Sequence, residues 1–187
     1  MARSWIAVPG ALLLALGACG GSTPSAHSAH SAATTTTTQL GSAFTDPQGT
    51  YTMRINPAWK ASFGTVEADV EVWFVADRVD GFTANLNLLT QKAPGVTMAQ
   101  YLDASIKQGP NLIDGNKTID HQVVDGANGQ LGLIEYTGNQ AGHALHFLAI
   151  VSLHGDDAVV ATLTAAEDRF AALRPQIEPY MRTLRAL

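Results

Sequence analysis

The chain reads as an α+β protein, a twisted antiparallel β-sheet flanked by helices on both faces. Three observations predict this class. Several stretches between Tyr51 and Thr164 carry strand character and are parted by Gly-, Asn- and Asp-rich turns. Two segments place apolar residues at helical spacing behind capping-box patterns, one in mid-chain and one at the end. Residues 144–153 are apolar on both alternating sets, and a strand buried on both faces needs cover on both.

The first residues stand apart from that domain. Arg3 supplies a minimal positive end, and residues 5–16 form an apolar stretch too short to span a membrane permanently. The stretch closes on Leu16-Gly17-Ala18-Cys19, the small-residue pattern of a bacterial lipoprotein box. Residues 1–18 are therefore expected to be a signal peptide. An ordinary secretory leader with an incidental cysteine is the alternative. Cys19 is the one cysteine of the 187 residues. Diacylated through a thioether it has no thiol to oxidise, and two long acyl chains suffice for stable anchoring where one is marginal. The mature chain would then hold no disulfide, thiolate metal site or cysteine nucleophile.

Residues 19–43 comprise this cysteine and a Ser/Thr-rich, nearly uncharged segment without the large apolar groups needed to offset the entropy of ordering. It reads as a disordered tether with a typical span on the order of 25 Å. Residues 44–187 have the length of one domain with a real core. The net charge of −5 and the lack of a basic cluster argue against nucleic-acid binding.

Within the domain, Phe44 and the turn Asp46-Pro47-Gln48-Gly49 place a short strand before Tyr51, Met53 and Ile55, which alternate with Thr52, Arg54 and Asn56 up to Pro57. Residues 70–76 and 84–91 form strands joined through Arg78-Val79-Asp80-Gly81, a hairpin signal. Thr97 and Gln100 make a capping box, Met98, Tyr101, Leu102 and Ile106 follow at helical spacing, and Gly109-Pro110 is expected to stop the helix. Residues 117–124, 131–137, 144–153 and 158–164 then predict an antiparallel meander over turns at 125–129, 138–142 and 154–157. Thr164 and Glu167 suggest another capping box, before an apolar stripe through Phe170, Leu173, Ile177, Tyr180, Met181 and Leu184. Pro175 is expected to divide that stripe into a short helix and a longer one.

The opening Phe44-x-Asp46-Pro47-x-Gly49-x-Tyr51, the strand end Ile55-Asn56-Pro57-Ala58-Trp59 and the closing Thr183-Leu184-Arg185 resemble the PsbP-like α/β/α sandwich. With the lipobox, the Thr-rich tether and a low-Lys, Ala-rich composition, the chain resembles the LpqN/LpqT family of mycobacterial lipoproteins. That resemblance covers the mature domain, but its markers are structural positions and not a chemical signature. It implies a role in cell-envelope biogenesis, with trehalose-mycolate export and the handling of such glycolipids.

Chemistry is sparse. No Gly-x-Ser-x-Gly elbow, phosphate-cradling loop or His-Glu-x-x-His helix occurs. Glu67, Asp69 and Glu71 lie at alternate spacing, but a solvated strand edge explains them better than an acid/base pair. His143 and His146, three apart on a strand, face opposite ways and do not chelate together, His154 adds no ligand set, and His27 and His30 fall in the tether. No catalytic residue, metal site or cofactor is expected. Trp59, Phe63, Trp73, Phe74 and Phe82 form an aromatic resource whose ordinary use is core packing. Residues 72–75 lack polar alternation, however, and could line an apolar groove with Asn85, Asn87 and Gln91 as sugar-binding groups at its border.

The expected protein is thus a non-enzymatic binding module, exported and lipid-anchored at the outer face of the plasma membrane, with a trehalose-mycolate glycolipid as ligand. Two alternatives are a protein-interaction module, recruiting a transporter or engaging a host protein once shed, and an envelope hydrolase. An apolar cavity would favour the first, an exposed apolar patch the second, and a burial-perturbed carboxylate or histidine in a cleft the third.

Overall fold

The computed structural model describes residues 40–62 and 70–187. Residues 1–18, Cys19, most of the tether, Phe63, Glu67 and Asp69 lie outside the described residues. Among the described residues the chain forms mostly antiparallel β-sheet with two helices, and it is richer in β-structure than the sequence suggests. In chain order the elements are β1 (Ser42–Thr45), β2 (Tyr51–Ile55), β3 (Lys60–Ser62), β4 (Val70–Phe74), β5 (Asn85–Lys92), α1 (Met98–Leu112), β6 (Asp114–Gly126), β7 (Gly129–Gln140), β8 (His143–His154), β9 (Asp157–Ala166), α2 (Glu167–Met181) and β10 (Arg185–Ala186). Two sheets replace the expected single one: β1-β2-β10, and β3-β4-β5-β9-β8-β7-β6.

The meander strands run longer than the turn residues imply, because those residues join the ladder. Gly126 pairs with Gly129 and Gln140 with His143, leaving tight two-residue connections. At Ala141-Gly142 both connecting residues have positive φ, 47° and 82°, the twist that suits a hairpin between right-twisted strands. β1 begins at Ser42, and Leu40 packs against the core, so residues before position 44 already belong to the fold.

The alternation of β9 divides the interior. Val159, Ala161 and Leu163 join Leu86, Leu88, Leu148 and Ile150 in a cluster with Phe170, Ile177, Tyr180 and Met181 of α2. Ala158 and Val160 join Ile134, Ala149 and Val151 in another with Met98, Tyr101 and Leu102 of α1. Helix α1 approaches closely because β7 carries Gly132 beneath it. A Cβ there would lie 2.7 Å from Met98 Sδ and 2.8 Å from Leu102 Cδ2.

Three expectations about the helices need revision, one is met. The Thr97/Gln100 capping box is present, with each side chain bonded to the other's backbone N–H. Gly109-Pro110 does not stop α1, which runs on to Leu112. Gly109 serves packing, since Asn116 Oδ1 lies 2.8 Å from where a Cβ would sit. Thr164 caps nothing: it stays in β9, paired with Asn85 and Phe147, and α2 starts after Ala166 without a side-chain cap. Nor does Pro175 split α2. Pro175 and Pro179 both lie on its exposed side, where water can satisfy the carbonyls that lose their partners.

Candidate functional site

A cavity of about 70 Å³ lies between α1 and the seven-stranded sheet, room for roughly five waters. Its wall is apolar where Leu89, Ile106, Ile134, Ala149, Val151 and Val160 meet. Leu112, 40% exposed at the end of α1, forms the outer lip with Asn116. Polar groups enter from Asn87 of β5, Tyr101 and Ser105 of α1, Tyr136 of β7 and Thr162 of β9.

Some of these groups are already engaged. Ser105 Oγ donates to the Tyr101 carbonyl at 2.9 Å, and the Tyr101 hydroxyl accepts from Gln91 Nε2. Others are not. Asn87 Nδ2 and Gln91 Oε1 are buried without a hydrogen-bond partner among the described residues, a condition few native polar groups tolerate. Tyr136 stacks on Phe147, with ring centroids 4.7 Å apart. Burial pushes both phenols, Tyr101 and Tyr136, well above the ordinary tyrosine range, so both remain neutral.

The structure separates the residues that the sequence grouped. Asn87 lines the cavity and Gln91 braces its Tyr101, while Asn85 is buried next along β5 with its amide donating to the Thr83 carbonyl at 3.2 Å. Trp59 and Trp73 belong to the cluster around α2, apart from the cavity lining. Trp59 packs on Tyr180 at 5.0 Å, and Trp73 meets Phe44 edge-on at 5.5 Å. Phe74 is half-buried in register with Asn85, facing away from Trp73 by strand alternation. Residues 72–75 therefore form no single groove; their unbroken apolarity serves two sides of β4, with Val72 buried on one and Trp73 and Val75 packed on the other. Phe82 is buried with Ile113, Leu145 and Phe147, beside a smaller hollow of about 50 Å³ that His143 and Arg169 also line.

Sequence reasoning missed Tyr136, Ser105, Asn116 and Thr162 as site residues. A signal existed in two of them. Tyr136 follows Ile134, and Thr162 follows Val160, each placing a polar group on the apolar set that faces α1.

The histidines do part company as strand geometry requires. His143 lies against Phe82, and His146 meets Glu135 at 2.8 Å beneath α2. Among the described residues no group of three or more His, Cys, Asp or Glu is placed to hold a metal ion, and no helix is long and apolar enough to cross a membrane. Glu71 accepts from the Tyr51 hydroxyl at 2.6 Å, and burial raises its carboxyl above the ordinary value.

No family model matches this chain, and no curated protein matches it. Solved structures do. Cyanobacterial PsbP (CyanoP) from Synechocystis superimposes with a TM-score of 0.60 at 14% identity, over 83% of this chain and 98% of that one. The fold is PsbP-like. A Pseudomonas aeruginosa protein of unknown function gives a TM-score of 0.57 at 13% identity, covering 76% of this chain and 94% of its own. LpqN of Mycobacterium tuberculosis, a protein involved in cell-envelope biogenesis, gives 0.52 at 10% identity, covering 77% and 88%. Identities this low carry the PsbP-like fold and leave activity to be argued from the site.

Proposed function

We propose that this chain is a non-enzymatic binding module of a mycobacterial-type cell envelope, exported and anchored through Cys19 at the outer face of the plasma membrane. With α1 and α2 read as covers of the two sheet faces, the α1 cavity receives the apolar part of a glycolipid such as a trehalose mycolate. The observation that carries this reading is the apolar, largely preformed cavity with the unpartnered Asn87 amide in its wall, the usual character of a small-molecule site. At about 70 Å³ it takes a short segment of acyl chain, with the sugar held at the lip by Leu112 and Asn116. The likeness to LpqN supports an envelope role, and association with mycolate export rests on the sequence resemblance.

The test is titration with a trehalose-mycolate analogue, followed by the methyl resonances of Ile106, Ile134 and Val151. Tryptophan emission is the wrong probe, since Trp59 and Trp73 lie apart from the cavity lining. Saturable shifts at these methyls are expected, weakening by up to about 0.8 kcal/mol for each buried methylene removed. Ala149→Leu, which fills the cavity, should abolish them. Unmoved methyls, with no binding by calorimetry, would end the glycolipid reading.

A second reading has its own observation. β6 is the outer strand of the seven-stranded sheet and exposes Ile119 and Val123, at 51% and 41%. An edge of this kind can take a strand from a transporter or another envelope or host protein. Loss of a captured partner on Ile119→Lys, with the cavity intact, would favour that module.

A further inference from the structure

Resting on the reading that the α1 cavity holds the apolar part of a ligand, we infer that the buried portion is uncharged and carries a hydrogen-bond acceptor, as an acyl ester does, and is not an ionised fatty acid. Among the described residues, the lining includes no Asp, Glu, Lys, Arg or His. A carboxylate entering it would be buried without a counter-charge, and such a group must either remain in water or take up a proton. No cation among the described lining residues relieves that penalty.

The polar groups present suit a neutral acceptor. The Asn87 carboxamide has a buried Nδ2 without a hydrogen-bond partner among the described residues, and the Tyr136 and Thr162 hydroxyls line the same space. A plain hydrocarbon would leave the Asn87 amide unsatisfied, whereas an ester carbonyl accepts from it and removes the cost of an orphaned buried donor. The apolar wall of Ile134, Val151 and Val160 takes the chain on either side of that carbonyl.

Three probes of similar size separate the cases: methyl hexanoate, sodium hexanoate and hexane, each titrated at neutral pH against the Ile134 and Val151 methyl resonances. Methyl hexanoate should bind at least about ten-fold more tightly than hexanoate. Asn87→Leu should weaken the ester by about five-fold while leaving hexane unchanged or tighter. Tyr136→Phe is the second variant, and a thermal melt of each establishes that it is folded. Hexanoate binding as tightly as its ester would overturn this inference and leave the apolar-ligand reading standing. So would an ester-over-hexane preference that survives both substitutions. Failure of all three probes to bind removes that underlying reading, and this inference with it.

Discussion

The imidazole of His146 lies flat on the ring of Phe170, with centroids 3.7 Å apart and planes within 3°. Its Nε2 meets Glu135 Oε1 at 2.8 Å, and Glu135 Oε2 accepts from Arg174 at 2.5 Å. Arg174 continues to Glu178, which Arg182 also engages. A line of charge-assisted bonds therefore joins β7 and β8 to α2. Only 14% of the Glu135 side chain is exposed, so Glu135→Ala strands two donors. It should cost about 1–3 kcal/mol, read as a lower denaturation midpoint with an unchanged slope. Phe170→Ala removes the ring itself and should cost about 3–5 kcal/mol.

Two glutamates should respond to pH in opposite senses. At Glu178 burial pushes the carboxyl up, but hydrogen bonds and charge from Arg174 and Arg182 more than offset this and hold it below its ordinary 4.5. Its stabilisation is present above that ordinary value and is lost as pH falls through the depressed one. Glu178→Gln should therefore be less stable than the parent at neutral pH, with the gap closing in acid.

Glu71 runs the other way. Burial raises its carboxyl, Asp46 adds to the rise, and the Tyr51 hydrogen bond only partly opposes it. The folded state then holds a proton that the unfolded chain has already lost, so ionising Glu71 destabilises the fold as pH rises. Glu71→Gln keeps an acceptor for Tyr51 and should equal or exceed the parent in melting temperature at neutral pH. That advantage should vanish below about pH 4.5, the ordinary value. A large loss at neutral pH would contradict it.

Gly138 sits where β7 passes Ile113, directly after α1. A Cβ there would press on Ile113 Cγ2 and lie 3.1 Å from the Asp114 carbonyl oxygen, which is backbone and cannot turn aside. Gly138→Ala should cost about 1–3 kcal/mol. Because Ile113 also lines the cavity, the same variant should alter the ligand-induced shifts of its methyl groups.

Cys19→Ala should release the protein from the membrane fraction without changing the melt of the domain, because Cys19 lies more than twenty residues ahead of β1 at Ser42, outside the packed residues that make the described core. Fractionation and calorimetry check both halves. A variant that stays in the membrane would remove the lipid anchor from the proposed function.

Most of the strands could be read from the sequence because the signal is local. Tyr51, Met53 and Ile55 alternate with polar neighbours and are buried, and the apolar doubling of residues 144–153 marks a strand inside a sheet. β3 and β10 were illegible. They are three and two residues long, and each exists through its partner, β4 or β2, with no pattern of its own. Proline misled at Pro110 and Pro175 because its effect depends on where it points. On an exposed helix side, water replaces the lost partner. The site was half legible for a related reason: Asn87 and Gln91 stand out as polar residues in an apolar strand, but Trp59 and Trp73 could be assigned to a face only once β4 and β5 were in register.

The small sheet has a mechanical consequence. β1 and β10 flank β2 and both run antiparallel to it, so they run parallel to each other, Thr45 and Arg185 both opposite Thr52. A pull applied at Leu40 and Leu187 is delivered along these strands as shear, and it reaches β10 where, among the described residues, two residue pairs, the bond from Leu187 N to the Thr50 carbonyl at 2.9 Å and the bond from Ala186 N to Ser152 Oγ at 3.0 Å resist it. Under tension β10 should act as the fuse, yielding before the seven-stranded sheet is loaded and leaving the wall of the α1 cavity intact.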